Sequence, residues 1–402
     1  MTSRSTRQRA QELIEQIHRC KLQAPKTIIF GQGCLDQLGE LVFPIAWGQK
    51  AIIVTGKRSA KASGLTDRIE TLLTRYTVKS IHAPIVNHEP TVRMVDDGAA
   101  LARREEPKLI LSVGGGSVMD FGKAIAALTT NPGSVEDYLE GVGKGLNVDK
   151  EPVAHIAIPT VAGTGAEVTK NAVVQSIEKG YKKSMRSDHM IPTATLVDPT
   201  LMIGVPPYAT AAGGMDAITQ LIECCLTNKR RKETTDLALQ GLQLTRQALS
   251  LCYEDPENIP AREEMALAST ISGVCLANSG LAMAHGIAAA LGALQQVPHG
   301  LACGILLPHT LRYNRDACKK EMQKALAAFL NKEKADENTI EEGITAIEAL
   351  NRWLQIPADL KFLGLSEEDL QKLAKAAAGS SMSGNPIPMT PDRTLEFLKG
   401  LA

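Results

Sequence analysis

Aromatic residues are scarce in this sequence, at 3% of the chain. A platform for single-stranded nucleic acid needs exposed rings for stacking, so that class is disfavoured. There is no excess of charge of either sign: Lys+Arg and Asp+Glu are both 44. Nothing therefore draws the whole molecule to DNA or to an anionic membrane. No run approaches the ~20 apolar residues that a membrane span needs. The segment from Met1 to Leu22 is polar and charged, without the apolar stretch of a secretory signal, and Glu12 and Glu15 are out of place in a basic transit peptide. The eight cysteines (Cys20, Cys34, Cys224, Cys225, Cys252, Cys275, Cys303 and Cys318) include no CxxC pair. They read as unpaired thiols in a reducing compartment, and a cytoplasmic location is expected.

What the sequence does have is length and an ordinary apolar content: 402 residues, 44% hydrophobic. That suits two domains with substantial cores. Residues 5–19 read as a short helical appendage with Leu13, Ile14 and Ile17 on one face. Short apolar runs then alternate with helical stretches. Strand candidates are Lys26–Phe30, Ala51–Thr55, Leu109–Val113, His155–Pro159 and Ala194–Val197. This alternation predicts a mainly parallel sheet. Beyond Pro206-Pro207 the texture becomes helical, notably over Thr234–Leu251, Ala261–Ala284 and Thr339–Leu354. The expected organisation is an N-terminal helical extension (1–24), an α/β domain (25–205) and an all-helical domain (206–402). The basic run Lys229–Lys232 reads as a solvated loop or helix start.

Two glycine-rich turns carry the first functional signal. Gly114-Gly115-Gly116-Ser117 lies where a strand hands over to a helix. Glycines there let a ligand approach the backbone, and the helix N-terminus presents free N–H groups and a positive dipole end to an anion such as a pyrophosphate. The turn is neither a GxxxxGK[ST] loop nor a GxGxxG fingerprint. A tight structural turn is the competing explanation. The second segment, Pro159 to Thr169, adds hydroxyls at Thr160, Thr164 and Thr169 and backbone donors at Gly163 and Gly165. Both turns would lie at the C-terminal ends of parallel strands, where such sheets bind ligands.

Taken in order, these segments resemble the iron-containing (group III) alcohol dehydrogenase family. The likeness runs from about Pro25 to the end of the chain. Phe30-Gly31-Gln32-Gly33 resembles the family's opening strand and turn, and Gly114 to Lys123 its GGGSxxDxxK. Pro159 to Thr169 resembles its PTTAGTGSEVT, with Val161 and Ala166 as departures. Val197-Asp198-Pro199 is similar to its VDP, Gly214 to Ala217 and Pro298 to Ala302 to its metal segments, and Asn385-Pro386 to its C-terminal NP.

The resemblance implies a dehydroquinate-synthase-like fold: a Rossmann-like dinucleotide-binding α/β domain, then an all-helical domain, with cofactor, metal and substrate in the cleft between them. It implies that NAD or NADP is held by Gly56, Gly114, Gly115, Gly116, Ser117, Asp120, Thr160, Thr164, Val168 and Lys183. It further implies hydride transfer between a small alcohol and an aldehyde or ketone, assisted by Fe²⁺ or Zn²⁺. A homodimer is expected, with no nucleic-acid or membrane partner.

The family holds its metal with one Asp and three His. Asp216, His285 and His299 fill three of these places, the two histidines fourteen residues apart. The remaining place, one helical turn after Asp216, is Gln220, and a further histidine usual in the family is Ala289 here. Two histidines and one carboxylate suit Fe(II) or a catalytic zinc, and Gln220 offers at best a weak carbonyl oxygen. A weakened metal site is therefore expected, with Gln220 lying beside Asp216, His285 and His299. Without metal another proton acceptor is needed, and His189 and His309 are the loose candidates. Gly56 stands where relatives that prefer NAD carry an acidic residue, and Lys57 or Arg58 could pair with a 2′-phosphate, so NADPH should be tolerated. A maleylacetate-reductase-like or dehydroquinate-synthase-like chemistry, and a non-catalytic nucleotide-binding protein, stay open beside the dehydrogenase.

Overall fold

A computed structural model describes residues 5–56 and 64–402. Lys57 and Arg58 lie outside the described residues. The chain divides into two compact units, one of Met1–Val161 with Ala166–Met202, the other of Ala162–Gly165 with Ile203–Ala402.

Among its described residues the first unit contains eight strands: β1 (Thr27–Phe30), β2 (Lys50–Thr55), β3 (Lys79–His82), β4 (Leu109–Gly114), β5 (Ala154–Pro159), β6 (Asn171–Ser176), β7 (Tyr181–Arg186) and β8 (Ala194–Val197). Six form a parallel sheet in the order β1-β8-β5-β4-β2-β3. Five described helices accompany them: α1 (Thr6–Arg19), α2 (Leu38–Ala46), α3 (Leu65–Thr74), α4 (Val92–Glu105) and α5 (Gly116–Thr130). Strand β4 is buried along its whole length, because helices cover both faces of the sheet. Ile52, Val54 and Ile110 pack with Val95 and Ala99 of α4 and with Phe121 and Ile125 of α5. Ala51, Ile53, Leu109 and Leu111 pack with Leu38 and Val42 of α2 and with Ile69 and Leu73 of α3. A strand covered on both sides reads as an unbroken apolar run, which is why β4 is so plain in the sequence.

Three features correct the sequence reading. Helix α1 is no separate appendage. Ser5 caps it by accepting from Gln8 N, and Ala10, Leu13 and Ile17 are buried within the first unit. Strand β3 was not anticipated, nor was the antiparallel hairpin of β6 and β7. The β7 sequence, Tyr181 to Arg186, is mostly polar and lacks an apolar alternation. It is a strand because its Met185, with Ala172 and Val174 of β6, packs into the core built around α5.

The second unit is helical throughout its described length. Its helices are α6 (Pro207–Leu226), α7 (Lys232–Glu254), α8 (Ile259–Ser279), α9 (Met283–Gln295), α10 (His299–Asn314), α11 (Lys319–Phe329), α12 (Thr339–Trp353), α13 (Glu367–Ala376) and α14 (Pro391–Lys399). The basic run around Arg231 opens α7, with Arg231 itself at the N-cap. The helical pattern over Ala261–Ala284 is two helices, which is the third correction. They break at Gly280, whose φ of +70° suits a residue without Cβ, and α8 and α9 meet there at 102°. No single helix among the described residues is long and apolar enough to cross a membrane.

Candidate dinucleotide turn and metal centre

The parallel register sets the first site. Val113 and Gly114 of β4 lie level with Ile158 and Pro159 of β5, and Thr55 of β2 lies level with Val113. The turns following β2, β4 and β5 therefore emerge side by side at the C-terminal edge of the sheet. Gly56 is there, bridged to Val86. Gly115 is the N-cap of α5, without a side-chain cap, and Gly115, Gly116 and Ser117 are only partly buried. The first N–H groups of α5 thus face an accessible place, as an anion requires.

The glycines of this turn differ in purpose. A Cβ on Gly114 would stand 2.6 Å from the Val118 side chain, so Gly114 is needed for the helix to pack on its strand. A Cβ on Gly115 would meet nothing nearer than Val161 at 4.0 Å. The fold itself makes no demand for glycine there, and the space beside it is open. Thr160 adds to the fit: its N–H donates to Gly114 O, while its buried Oγ1 has no hydrogen-bond partner.

Other expected cofactor contacts are placed differently. Val168 is 0% exposed and belongs to the core. Asp120 is buried; one carboxylate oxygen accepts from Val173 N at 3.0 Å, and the other is 3.1 Å from Lys123 Nζ. Lys123 also donates to Ala166 O and Thr169 Oγ1. Asp120 is thus spent on joining α5 to the hairpin, and a carboxylate would in any case repel a pyrophosphate. Lys183 sits on β7 opposite Val174. Thr164 belongs to the second unit, as do Gly163 and Gly165. Those two glycines serve packing instead of a ligand. Gly163 N donates to Ser269 Oγ at 2.8 Å, and a Cβ on Gly163 would stand 2.8 Å from Gly213 Cα. A Cβ on Gly165, at φ +61°, would stand 2.5 Å from Ser269 O.

The second site lies wholly in the helical unit. Asp216, Gln220 and Glu223 follow one another along α6, roughly one turn apart. His285 is on the first turn of α9, and His299 opens α10. His285 Nδ1 is 2.7 Å from Glu223 Oε2, and its Nε2 is 3.1 Å from Asp216 Oδ1. The His285 and His299 rings meet edge to face at 5.4 Å. Four groups converge, since one donor atom each from Asp216, His285, His299 and Cys303 lie within 4.8 Å of one another. Cys303 follows His299 by one turn of α10, with its Sγ 3.9 Å from His299 Nε2. His299 is half-buried, while the other three are buried, and its buried Nδ1 has no partner.

Electrostatics within this cluster are collective. Burial works against the Asp216 carboxylate, but the hydrogen bond from His285 and the charge of His299 outweigh it, holding Asp216 below its ordinary range. Burial likewise opposes protonation of both imidazoles, yet Cys303 and Asp216 raise them, with Glu223 adding to His285. Burial pushes the Cys303 thiol up, and the two histidines more than offset it. A divalent cation at this place would take over from the protons that the cluster now holds, since ligands must be deprotonated to bind it.

Glu223 holds the arrangement together. Beyond His285, it accepts from the backbone N–H of Ala282 at 2.9 Å and of Ala284 at 2.7 Å. It therefore caps α9 and fixes His285 with Nδ1 as donor and Nε2 toward the cluster, a familiar outer partner of a ligating histidine. Asn385 supports the same helix by accepting from Met283 N.

Gln220 does lie beside Asp216, as the sequence predicts, but its carboxamide is already committed. Nε2 donates to Asp216 Oδ1 at 3.1 Å and to Thr164 O at 3.2 Å, and Oε1 accepts from Ser272 Oγ at 3.2 Å. Two acceptors on one side fix the amide orientation, so its oxygen points toward Ser272 and away from Asp216. In this arrangement the Gln220 oxygen is turned from the cluster, and its Nε2 holds Asp216 Oδ1. Ala289, on α9, supplies no donor. His189 and His309 are outside the cluster, bound to Glu151 Oε2 and Ala358 O at exposed positions. Sequence reasoning missed Cys303 and Glu223. Both stand one or two helical turns from a named ligand, and that spacing was the available signal.

The iron-containing alcohol dehydrogenase family matches residues 25–199, and the C-terminal part of the Fe-containing alcohol dehydrogenase family matches residues 210–401. Alcohol dehydrogenase 4 of Saccharomyces cerevisiae is 32% identical over 377 residues, 93% of this chain and 96% of that protein. Lactaldehyde reductase of Escherichia coli (strain K12) is 33% identical over 381 residues, 92% of this chain and 97% of its own. Among solved structures, a 1,3-propanediol oxidoreductase superposes with a TM-score of 0.87 at 30% identity, covering 94% of this chain and 98% of that one. Sulfoacetaldehyde reductase from Bifidobacterium kashiwanohense, in complex with NAD+, superposes with a TM-score of 0.85 at 29% identity, covering 94% and 97%.

Proposed function

The chain belongs to the iron-containing alcohol dehydrogenase family, and on that premise we propose that it interconverts a small alcohol and its aldehyde or ketone, using NAD(H) and a divalent metal. The observation that carries the proposal is the buried convergence of Asp216, His285 and His299 in a fold that also exposes a glycine-lined helix N-terminus. When bound, the dinucleotide supplies the hydride acceptor or donor, and the metal supplies positive charge for the substrate oxygen. The protein's part is binding and orientation. The N–H groups of Gly116 and Ser117 hold the pyrophosphate, with Gly115 leaving room for it and Thr160 Oγ1 available beside it. Asp216, His285 and His299 hold the cation, and Glu223 keeps His285 in the tautomer that presents Nε2.

Both iron and zinc suit this donor set, and NADPH is tolerated because Gly56 removes a carboxylate from the end of β2. A strong kinetic preference for NADH, unchanged in Lys57→Ala and Arg58→Ala, would contradict the NADPH assignment. Relatives named for lactaldehyde and 1,3-propanediol set the substrate class to test. The purified protein, supplied with Fe²⁺ or Zn²⁺, is expected to oxidise NADH in the presence of lactaldehyde, acetaldehyde or hydroxypropanal. One feature favours a second reading: the imidazole that would complete the metal set is replaced by the committed amide of Gln220, as in a nucleotide-binding protein that has lost its chemistry. Tight NADH binding with no turnover on any of these aldehydes would establish that reading instead.

A further inference from the structure

We infer that Cys303 is the fourth metal ligand of this chain, giving an Asp-His-His-Cys site that prefers zinc-like ions to Fe²⁺. The inference rests on the metal-dependent reading above and goes beyond it, because it changes both the ligand set and the choice of metal. Position comes first. Cys303 lies one turn after His299 on the same face of α10, and its Sγ is within 4.8 Å of the donor atoms of Asp216, His285 and His299. Tetrahedral coordination at ordinary Zn–N, Zn–O and Zn–S lengths puts donor atoms about 3.3–3.6 Å apart. The observed His285–Asp216 separation of 3.1 Å and Cys303–His299 separation of 3.9 Å bracket that range, so small side-chain rotations close the set.

Gln220 would have to break hydrogen bonds to Asp216, Thr164 and Ser272 to turn its oxygen inward. Cys303 breaks nothing of that kind, because its side-chain partners are His299, at 3.9 Å, and His285, both members of the cluster itself. A thiolate is a soft ligand that suits Zn²⁺ and Co²⁺ better than Fe²⁺. Loss of a harder nitrogen donor at position 220 and gain of sulfur at position 303 move the site in one direction. Coordination forms the metal–sulfur bond as the thiol proton leaves to solvent, with no change of oxidation state. The half-buried flank at His299 leaves a side from which a fifth group can enter, as catalytic zinc sites allow.

The test uses the full-length protein, stripped with a chelator and loaded with Co²⁺ alone. A near-ultraviolet thiolate-to-cobalt charge-transfer band is expected, together with visible bands of tetrahedral intensity. In Cys303→Ser the charge-transfer band should vanish while weaker visible bands remain, and competition with a chromophoric chelator should show Zn²⁺ affinity reduced by at least about 10–100-fold, the loss that removal of a mere outer partner of a ligand already produces. Thermal melting of the stripped wild type and variant establishes that both are folded. Visible cobalt bands without a charge-transfer band in wild type would overturn the role of Cys303 and leave the metal reading standing. No cobalt binding by folded wild type would overturn both. A charge-transfer band that persists in Cys303→Ser would assign the sulfur elsewhere and overturn the inference.

Discussion

Gly115 and Gly114 are neighbours with opposite reasons for being glycine. At Gly114 the reason is internal, since a side chain would collide with Val118. At Gly115 the chain offers open space, and the reason we propose is the pyrophosphate assigned to this turn. Gly115→Leu should therefore fold normally and lose dinucleotide binding at least tenfold in an NADH fluorescence titration, whereas Gly114→Ala should lower the melting temperature. Unchanged titration in a well-folded Gly115→Leu protein would remove the pyrophosphate from this turn. The sequence alone could not tell these glycines apart, because both stand in the same GGGS motif and only the packed helix shows which has a neighbour. Residue 220 makes a similar point. Its spacing from Asp216 correctly foretold its place, but the direction of its amide depends on Thr164 and Ser272, which are far away in sequence. A Gln220→His replacement should raise bound metal per chain in elemental analysis by supplying an imidazole in that place. Equal metal content in both proteins would mean that position 220 does not reach the cation.

The helices α8 and α9 form the element on which His285 depends. Their break at Gly280 has φ +70° and ψ −169°, a backbone conformation nearly confined to glycine. A Cβ there would meet nothing closer than Lys229 at 3.7 Å, so the cost of Gly280→Ala is backbone strain of about 1–3 kcal/mol, with no steric clash. A loss of that size in chemical denaturation, with weaker metal binding, is expected; no change in either would show that the corner is not strained. Helical spacing ran across this corner because most residues on both sides are buried, and the Ser279-Gly280 pair was the one local sign of a break. The β6–β7 hairpin was illegible for a related reason: it is stabilised by one apolar face against α5, while its sequence is dominated by the polar side.

On the central sheet, His155 hydrogen-bonds Ser112 Oγ at 2.8 Å. Burial, aided by the Lys123 charge, pushes its pKa down to about 3. The folded state keeps this ring neutral, and the unfolded chain takes up a proton below about pH 6.5. Its neutral burial is thus fully compatible with folding above that pH and costs stability as the pH falls toward 3, by up to about 1.4 kcal/mol per pH unit. The urea midpoint of His155→Gln should fall less steeply between about pH 6.5 and pH 5 than that of wild type. Parallel profiles would rule out His155 as a source of acid sensitivity.

At the scale of the whole molecule, the charge balance, the scarcity of aromatics and the scattered thiols disfavoured other classes before any motif was read. The alternation of strands and helices then gave the class of each part, because parallel strands buried on both faces write themselves as apolar runs. The activity required more than that, since the same architecture serves several chemistries. It rests on one cluster in which a carboxylate, two imidazoles and a thiol converge. The most direct test follows NADH consumption with hydroxypropanal in one preparation as isolated, after chelation, and after return of Zn²⁺ or Fe²⁺, with metal content measured at each stage. Turnover that disappears with the metal and returns with it is the predicted result. Turnover that continues undiminished in protein shown to be metal-free would contradict the account.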